Sequence, residues 1–264
     1  MIIVYEKSNA DLSERIAKSL NLSAFRIDVS KFPNGEFSLR EAVVENKHVV
    51  VIFPKIKNIN EQLIEFVMML NTCKNCDIID VVIPYIPYSR QGGSQAFWAI
   101  FNLFKPFKIR KIITIDLHTP IDSLYVINIL PHEIFGSFFR DQDFIVVAPD
   151  NGAKNRAKKF AKYLGTELIL IDKNSKKIVN ARKIKNRHCL IVDDITDTGR
   201  TIENAACILN EFQAKSLTAC ISHAFSDKTN KSGLIEKIYV TESLKSKGFK
   251  IIKIDRAISE KLHS

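Results

Sequence analysis

Leu190-Ile191-Val192-Asp193-Asp194-Ile195-Thr196-Asp197-Thr198-Gly199-Arg200-Thr201-Ile202 is an apolar run that ends in two adjacent carboxylates and passes through a polar turn. It leads into a segment with apolar residues at helical spacing, Ile202, Ala205, Ala206 and Leu209. The pattern predicts strand, loop, helix. Backbone N–H groups at the start of a helix are unpaired and partly positive, and Thr198, Gly199, Arg200 and Thr201 would point them, with two hydroxyls, at a phosphate. Asp193 and Asp194, at the carboxyl end of a buried strand, are acceptors suited to a vicinal diol or a bound cation. Together the two halves ask for a sugar phosphate. An ordinary turn between strand and helix with a threonine cap is the plainer alternative, but two acids plus Thr-x-x-Thr around a glycine is more than such a turn requires.

Working outward, the same alternation recurs. Short β-rich runs are expected over 2–5, 24–29, 49–53, 79–83, 111–115, 144–148, 167–171, 188–192, 217–221, 237–240 and 251–254. Amphipathic helices are expected to 20 from a cap at Ser8 or Asn9, and over 59–70, 95–104, from near 131, over 153–164, from 202, and from 255. Phe32-Pro33-Asn34-Gly35-Glu36 reads as a turn, with an extended stretch over 37–40 returning as a hairpin. Strands alternating with helices predict α/β architecture: two tandem units over 1–130 and 131–264, each a mostly parallel sheet covered by helices. The last helix is a candidate to pack on the first unit.

Residues 84–94, Pro-Tyr-Ile-Pro-Tyr-Ser-Arg-Gln-Gly-Gly-Ser, leave a strand as a loop stiffened by two prolines and released by two glycines. Tyr85 and Tyr88 offer flat surfaces, and Arg90 and Gln91 offer donors for a phosphate or a base edge. A proline-rich connector is the alternative.

The 264 residues, 46% hydrophobic, suffice for two cores, and a formal charge of +10 favours phosphate-rich partners. Lys154, Arg156, Lys158, Lys159 and Lys162 lie along one expected helix, where a solvated face competes with a polyanion site. Lys173, Lys176, Lys177, Arg182, Lys183, Lys185 and Arg187 fill an expected loop. Five cysteines without a signal peptide point to a reducing cytoplasm. Cys73 and Cys76 have metal-ligand spacing but no second pair, so two helix-end thiols are expected rather than zinc. No apolar run is long enough to cross a membrane, and nucleic acid is not an expected partner.

The stretch from Asp193 to Thr201 resembles the ribose-phosphate loop of the phosphoribosyltransferase superfamily. Phe32-Pro33-Asn34-Gly35-Glu36, the Pro-Tyr-x-x-Tyr-x-Arg-Gln loop ending at Gln91, Asp116-Leu117-His118, Pro149-Asp150 with Gly152, and Asp172-Lys173 then follow the order of one branch. That branch is the ribose-phosphate pyrophosphokinase family. The resemblance implies transfer of the pyrophosphoryl group of ATP to the 1-hydroxyl of ribose 5-phosphate, giving 5-phosphoribosyl diphosphate and AMP with Mg2+ present. It implies that Phe32, Asn34, Glu36, Arg90 and Gln91 hold ATP, that His118 and Asp150 sit at the metal, and that Lys173 is the catalytic cation. Asp193, Asp194, Asp197, Thr198, Gly199, Arg200 and Thr201 would hold ribose 5-phosphate. Relatives assemble, so a homo-oligomer is expected. The alternatives are a non-catalytic paralogue that binds ribose phosphate or nucleotide, and a phosphoribosyltransferase, which would share only the last motif.

Departures from the family pattern fall on the nucleotide side. Asn34 stands for an aspartate, Gly92-Gly93 for an Asp-Arg pair, and Asn174-Ser175 for arginines after Lys173.

Overall fold

The computed structural model describes residues 1–39, 44, 47–119, 121, 125–172, 177–179, 181–227 and 230–263, so Lys173 and the substituted Asn174 and Ser175 lie outside the described residues. The chain forms two compact units, Met1–Ile129 with Ile254–Ser264, and Leu130–Lys253.

The first unit runs β1 (Ile2–Glu6), α1 (Ala10–Ser19), β2 (Ser23–Ile27), β3 (Val29–Lys31), β4 (Phe37–Leu39), β5 (His48–Ile52), α2 (Ile59–Thr72), β6 (Ile78–Val82), α3 (Gln95–Phe101), β7 (Ile109–Ile115) and β8 (Val126–Ile129). Six strands pair in parallel in the order β2-β1-β5-β6-β7-β8, while β3 and β4 form a separate antiparallel hairpin. Central strands such as β5 are apolar on both faces because helices cover both faces of a parallel sheet. Phe53, Phe66, Met69 and Leu70 fill the layer between the sheet and α2 with no more than 1% exposure.

The second unit runs α4 (Pro131–Phe139), β9 (Phe144–Ala148), α5 (Lys154–Leu164), β10 (Leu168–Asp172), β11 (Lys177–Val179), β12 (His188–Thr196), α6 (Arg200–Glu211), β13 (Ser216–Ala224), β14 (Lys237–Thr241) and β15 (Lys250–Ile252). Its sheet has the order β11-β10-β9-β12-β13-β14-β15, parallel throughout except for β10 with β11. The last helix, α7 (Asp255–His263), belongs to the first unit, which moves the end of the second domain from the expected 264 to 253. Arg15 of α1 holds Asp255 at 3.0 Å, and the buried Lys111 Nζ donates to the Lys261 carbonyl at 2.8 Å. A cation at carbonyls near a helix C-terminus also meets the negative end of the helix dipole.

Several local expectations change. The run over 24–29 splits at Asp28, because residues to Ile27 pair with β1 whereas Val29 opens the hairpin opposite Leu39. Strand β8 was not expected, and β11 lies inside the basic segment read as loop, where Lys183 and Arg187 pair with Glu167 and Asp143. Asn9 does not cap α1; its side chain donates to the Phe53 carbonyl at 2.9 Å. Cys73 and Cys76 are fully buried, and burial pushes the Cys73 thiol up to about 11. All five cysteines are free. Among the described residues no helix is long and apolar enough to cross a membrane.

Glu65 of α2 is 4% exposed, and burial, with Glu6 adding, pushes its carboxyl from 4.5 up to about 7. The folded chain therefore keeps a proton that the unfolded chain releases. This contribution to stability is full below about pH 4.5 and lost as pH rises through about 7. Glu65→Gln is expected to flatten that decline: urea midpoints at pH 5 and pH 8 should converge, with the variant above the wild type at pH 8.

Candidate functional site

Open parallel sheets bind ligands beyond the carboxyl ends of their strands, where successive connections leave in opposite directions. In the second unit that point lies between β9, which leads to β10 on one side, and β12, which leads to β13 on the other. β12 pairs with β9 only as far as Ile191 opposite Val147, but continues beside β13 to Thr196 opposite Ala224. The strand expected to stop at 192 thus runs to 196. Asp193 and Asp194 lie within it, on the stretch with a neighbour on one side only.

Both acids are buried, at 7% and 4% exposure. The Asp194 N–H donates to Asp193 Oδ1 at 2.9 Å, and Arg156 Nη2 reaches Asp194 Oδ2 at 3.0 Å. Burial raises the Asp193 carboxyl well above the usual carboxylate range; Asp194 adds to the rise, Arg156 opposes it, and Asp150 adds a further push. Asp150, half-buried after β9, accepts the Ala153 N–H on Oδ1 at 3.2 Å. Three carboxylates and one guanidinium therefore share the mouth of this crevice. Arg156 was grouped with the surface lysines of α5 in the sequence reading. Its position three residues after Ala153 and four before Phe160, on the apolar face, is the signal that sets it apart.

After β12 the chain exposes Asp197 and Thr198 and turns at the buried Gly199, whose φ of +77° is readily adopted only without a side chain. Gly199 is the N-cap of α6, its carbonyl accepting the Glu203 N–H at 2.9 Å, and as a glycine it brings no capping side chain of its own. Asn58 and Ser94 cap α2 and α3 with their own side chains, whereas α6 starts at a glycine between the exposed Thr198 and Arg200, with Arg200 Nε held to Thr198 Oγ1 at 3.3 Å. That is the physical form of an anion cradle. The threonine cap of the plainer alternative is not what starts this helix.

In the first unit the corresponding reversal falls between β1 and β5, and it is stitched shut. Asn9 Nδ2 donates to the Phe53 carbonyl, and the Lys55 N–H donates to Ser8 Oγ, each at 2.9 Å. The expected nucleotide residues lie elsewhere. The turn from Phe32 to Glu36 is closed by Phe32 N–H to the Glu36 carbonyl at 2.8 Å, and Asn34 Oδ1 accepts the Glu36 N–H at 3.1 Å. Phe32 is 53% exposed, and Asn34 and Glu36 are exposed. Lys31 Nζ ties the hairpin to Glu61 at 2.8 Å, while Tyr88 O–H bonds Asn60, so both loops attach to the first turn of α2.

Arg90 and Gln91 are exposed on a short 3-10 turn after β6 that Tyr88 enters at φ +62°. His118, exposed, follows β7 through the buried Asp116 at φ +39°. Positive φ at two non-glycine residues on one edge of the sheet is the kind of strain that surrounding structure must enforce. The loops after β6 and β7 touch: a Cβ on Gly92 would lie 2.3 Å from Thr119 Cβ. A glycine at 92 is therefore a packing requirement of this chain as well as a departure from a family pattern. His118 and Asp150 belong to different units, and among the described residues no group of three His, Cys, Asp or Glu forms a cluster that could hold a metal. An ion needing few protein ligands, such as Mg2+ with its retained waters, suits Asp150 better than a full protein cage.

A parallel α/β unit with an acid pair at the reversal point and a glycine-started helix after it defines a phosphoribosyltransferase-type domain. The chain matches the model for the N-terminal domain of ribose phosphate pyrophosphokinase over residues 1–96 and that for the phosphoribosyl transferase domain over 123–252. The ribose-phosphate pyrophosphokinase of Listeria ivanovii is 31% identical over 265 residues, 90% of this chain and 83% of that one. That of Thermosipho africanus is 29% identical over 272 residues, 92% and 86% respectively. The crystal structure of phosphoribosylpyrophosphate synthetase from Mycobacterium smegmatis superposes with a TM-score of 0.84 at 25% identity, covering 99% of this chain and 97% of that one. This chain belongs to the ribose-phosphate pyrophosphokinase family.

Gly92→Ala is expected to lower the thermal midpoint, because the new methyl meets Thr119. Adding Thr119→Gly should recover part of the loss, whereas Thr119→Gly alone should not stabilise. Differential scanning fluorimetry of the three variants checks this non-additivity.

Proposed function

We propose that this chain is an active ribose-phosphate diphosphokinase. The observation that carries the reading is the joint placement of the buried acid pair and the glycine-started N-terminus of α6 at the reversal point of the second sheet. An acceptor pair for a vicinal diol and a helix N-terminus for a phosphate together match ribose 5-phosphate. In this reading Asp193 and Asp194 accept from the ribose hydroxyls, and Thr198, Gly199, Arg200 and Thr201 hold the 5-phosphate with Asp197 at the loop's entry. Phe32, Asn34, Glu36, Arg90 and Gln91 bind ATP, and a homo-oligomer is the working form.

The 1-hydroxyl oxygen attacks the β-phosphorus, the bond from that phosphorus to the oxygen bridging the α-phosphate breaks, and AMP leaves while the hydroxyl proton passes to solvent. Such a transfer needs alignment and neutralised charge rather than a covalent intermediate. Lys173 supplies a cation to the transferred group. Mg2+ would be held by Asp150 and would supply the remaining neutralisation of phosphate charge, with His118 assigned to the nucleotide side.

Purified protein given ATP, ribose 5-phosphate and Mg2+ is expected to form AMP and 5-phosphoribosyl diphosphate in equal amounts, and chelating the metal should abolish turnover. Bound ribose 5-phosphate without AMP would instead make the chain a non-catalytic binder, a reading that the Gly92-Gly93 departure favours. Lys173→Ala should reduce kcat by roughly 100-fold, the effect of removing one donor to developing charge. Unchanged turnover would remove Lys173 from the chemistry.

Gly199→Val places a β-branched residue at φ +77° and should weaken ribose 5-phosphate binding by at least 10-fold in calorimetry, while ATP binding stays within about twofold.

A further inference from the structure

Five cations lie on or within the first three turns of α5, and four of them, Lys154, Lys158, Lys159 and Lys162, are exposed. The fifth, Arg156, lies with Ala153, Ala157, Phe160 and Ala161 on the face that packs against the sheet, and its side chain is 8% exposed. Burying a guanidinium is costly, and an apolar residue of similar length would pack the same helix at lower cost. The charge is retained against a partner that is equally buried: Asp194, whose side chain is 6% exposed and whose Oδ2 lies 3.0 Å from Arg156 Nη2. Asp194 in turn shares its backbone N–H with Asp193 Oδ1. Two adjacent carboxylates in a strand without a neighbour on one side repel each other, and a cation ion-paired to Asp194 comes from the first turn of α5.

We propose that Arg156 is a positioning residue for ribose: it fixes the Asp194 carboxylate beside Asp193, so that the two acids accept from both hydroxyls of a vicinal diol and set a preference for ribose 5-phosphate over 2-deoxyribose 5-phosphate. The proposal rests on the reading of this crevice as the ribose 5-phosphate site. It assigns Arg156 no contact with substrate. The 5-phosphate cradle, built from the start of α6, does not depend on it. Loss of Arg156 therefore loosens the diol end of the site and leaves the phosphate end.

The test measures binding of ribose 5-phosphate, 2-deoxyribose 5-phosphate and inorganic phosphate to the full chain and to Arg156→Met and Arg156→Lys by calorimetry, with KM and kcat for ribose 5-phosphate in parallel. Arg156→Met should weaken ribose 5-phosphate by about 10-fold to 100-fold, the loss expected when a charge-assisted contact goes. Its affinity should then approach that for the deoxy sugar, with inorganic phosphate unchanged within about twofold and KM rising more than kcat falls. Arg156→Lys, which keeps the charge, should recover part of the ribose preference; should the Met variant not fold, the Lys variant alone must show a reduced preference. An unaltered ribose-to-deoxyribose ratio in the folded variants, or an equal loss for inorganic phosphate, overturns the proposal in favour of a purely structural ion pair. A wild-type chain that binds neither sugar phosphate more tightly than inorganic phosphate overturns the proposed function itself, and this inference with it.

Discussion

The buried pairing of Arg156 with Asp194 is the ion pair around which the carboxyl end of the second unit's sheet is arranged. Two neighbouring acids within a strand interior are unstable as charges, because burial disfavours ionisation and each carboxylate raises the other's proton affinity. A guanidinium that is itself withdrawn from water answers that cost only if it is held in place. Arg156 is held by the first turn of α5, whose start is fixed by the Asp150 carboxylate on the Ala153 N–H. Sheet order, helix start and acid pair are thus one arrangement, because β9 delivers Asp150 and α5 at the point where β12, running past it, delivers Asp193 and Asp194.

The two units use a shared sheet grammar for different ends. Each has a central, mostly parallel sheet with one reversal, between β1 and β5 in the first unit and between β9 and β12 in the second. In the second unit the reversal opens into acids and a glycine-started helix; in the first, Ser8 and Asn9 bridge to Lys55 and Phe53 and close it. What the first unit offers is carried on loops. The β3–β4 hairpin and the loop after β6 are both tied to the first turn of α2, and strained Tyr88 and Asp116 present Arg90, Gln91 and His118 outward. A fold repeated in one chain therefore does not repeat a site, because a site is a matter of the side chains at strand ends.

Much of this was legible in order of residues. Alternating apolar runs and amphipathic segments set the α/β class, and the acid pair followed by Thr-Asp-Thr-Gly-Arg-Thr marked a loop like the family's ribose-phosphate loop. Both are local: strand and helix periods, the φ demanded of Gly199 and the polarity of a helix start all act within a few residues. Strand β8 is not legible locally because Asn128 interrupts its short apolar run and only pairing with β7 defines it, and β11 because it lies among lysines and is defined only by pairing with β10.

Sequence alone thus determined the fold class and the family motif, since each is written in neighbouring residues. Tertiary structure decided the rest. It extended β12 through both acids, because parallel pairing with β13 outlasts pairing with β9. It moved α7 to the first unit, because Arg15 and Lys111 lie 240 and 150 residues from their partners. It separated Arg156 from the lysines around it and set it against Asp194, 38 positions away (194 minus 156), because burial and charge pairing depend on distance in space, which no local pattern encodes.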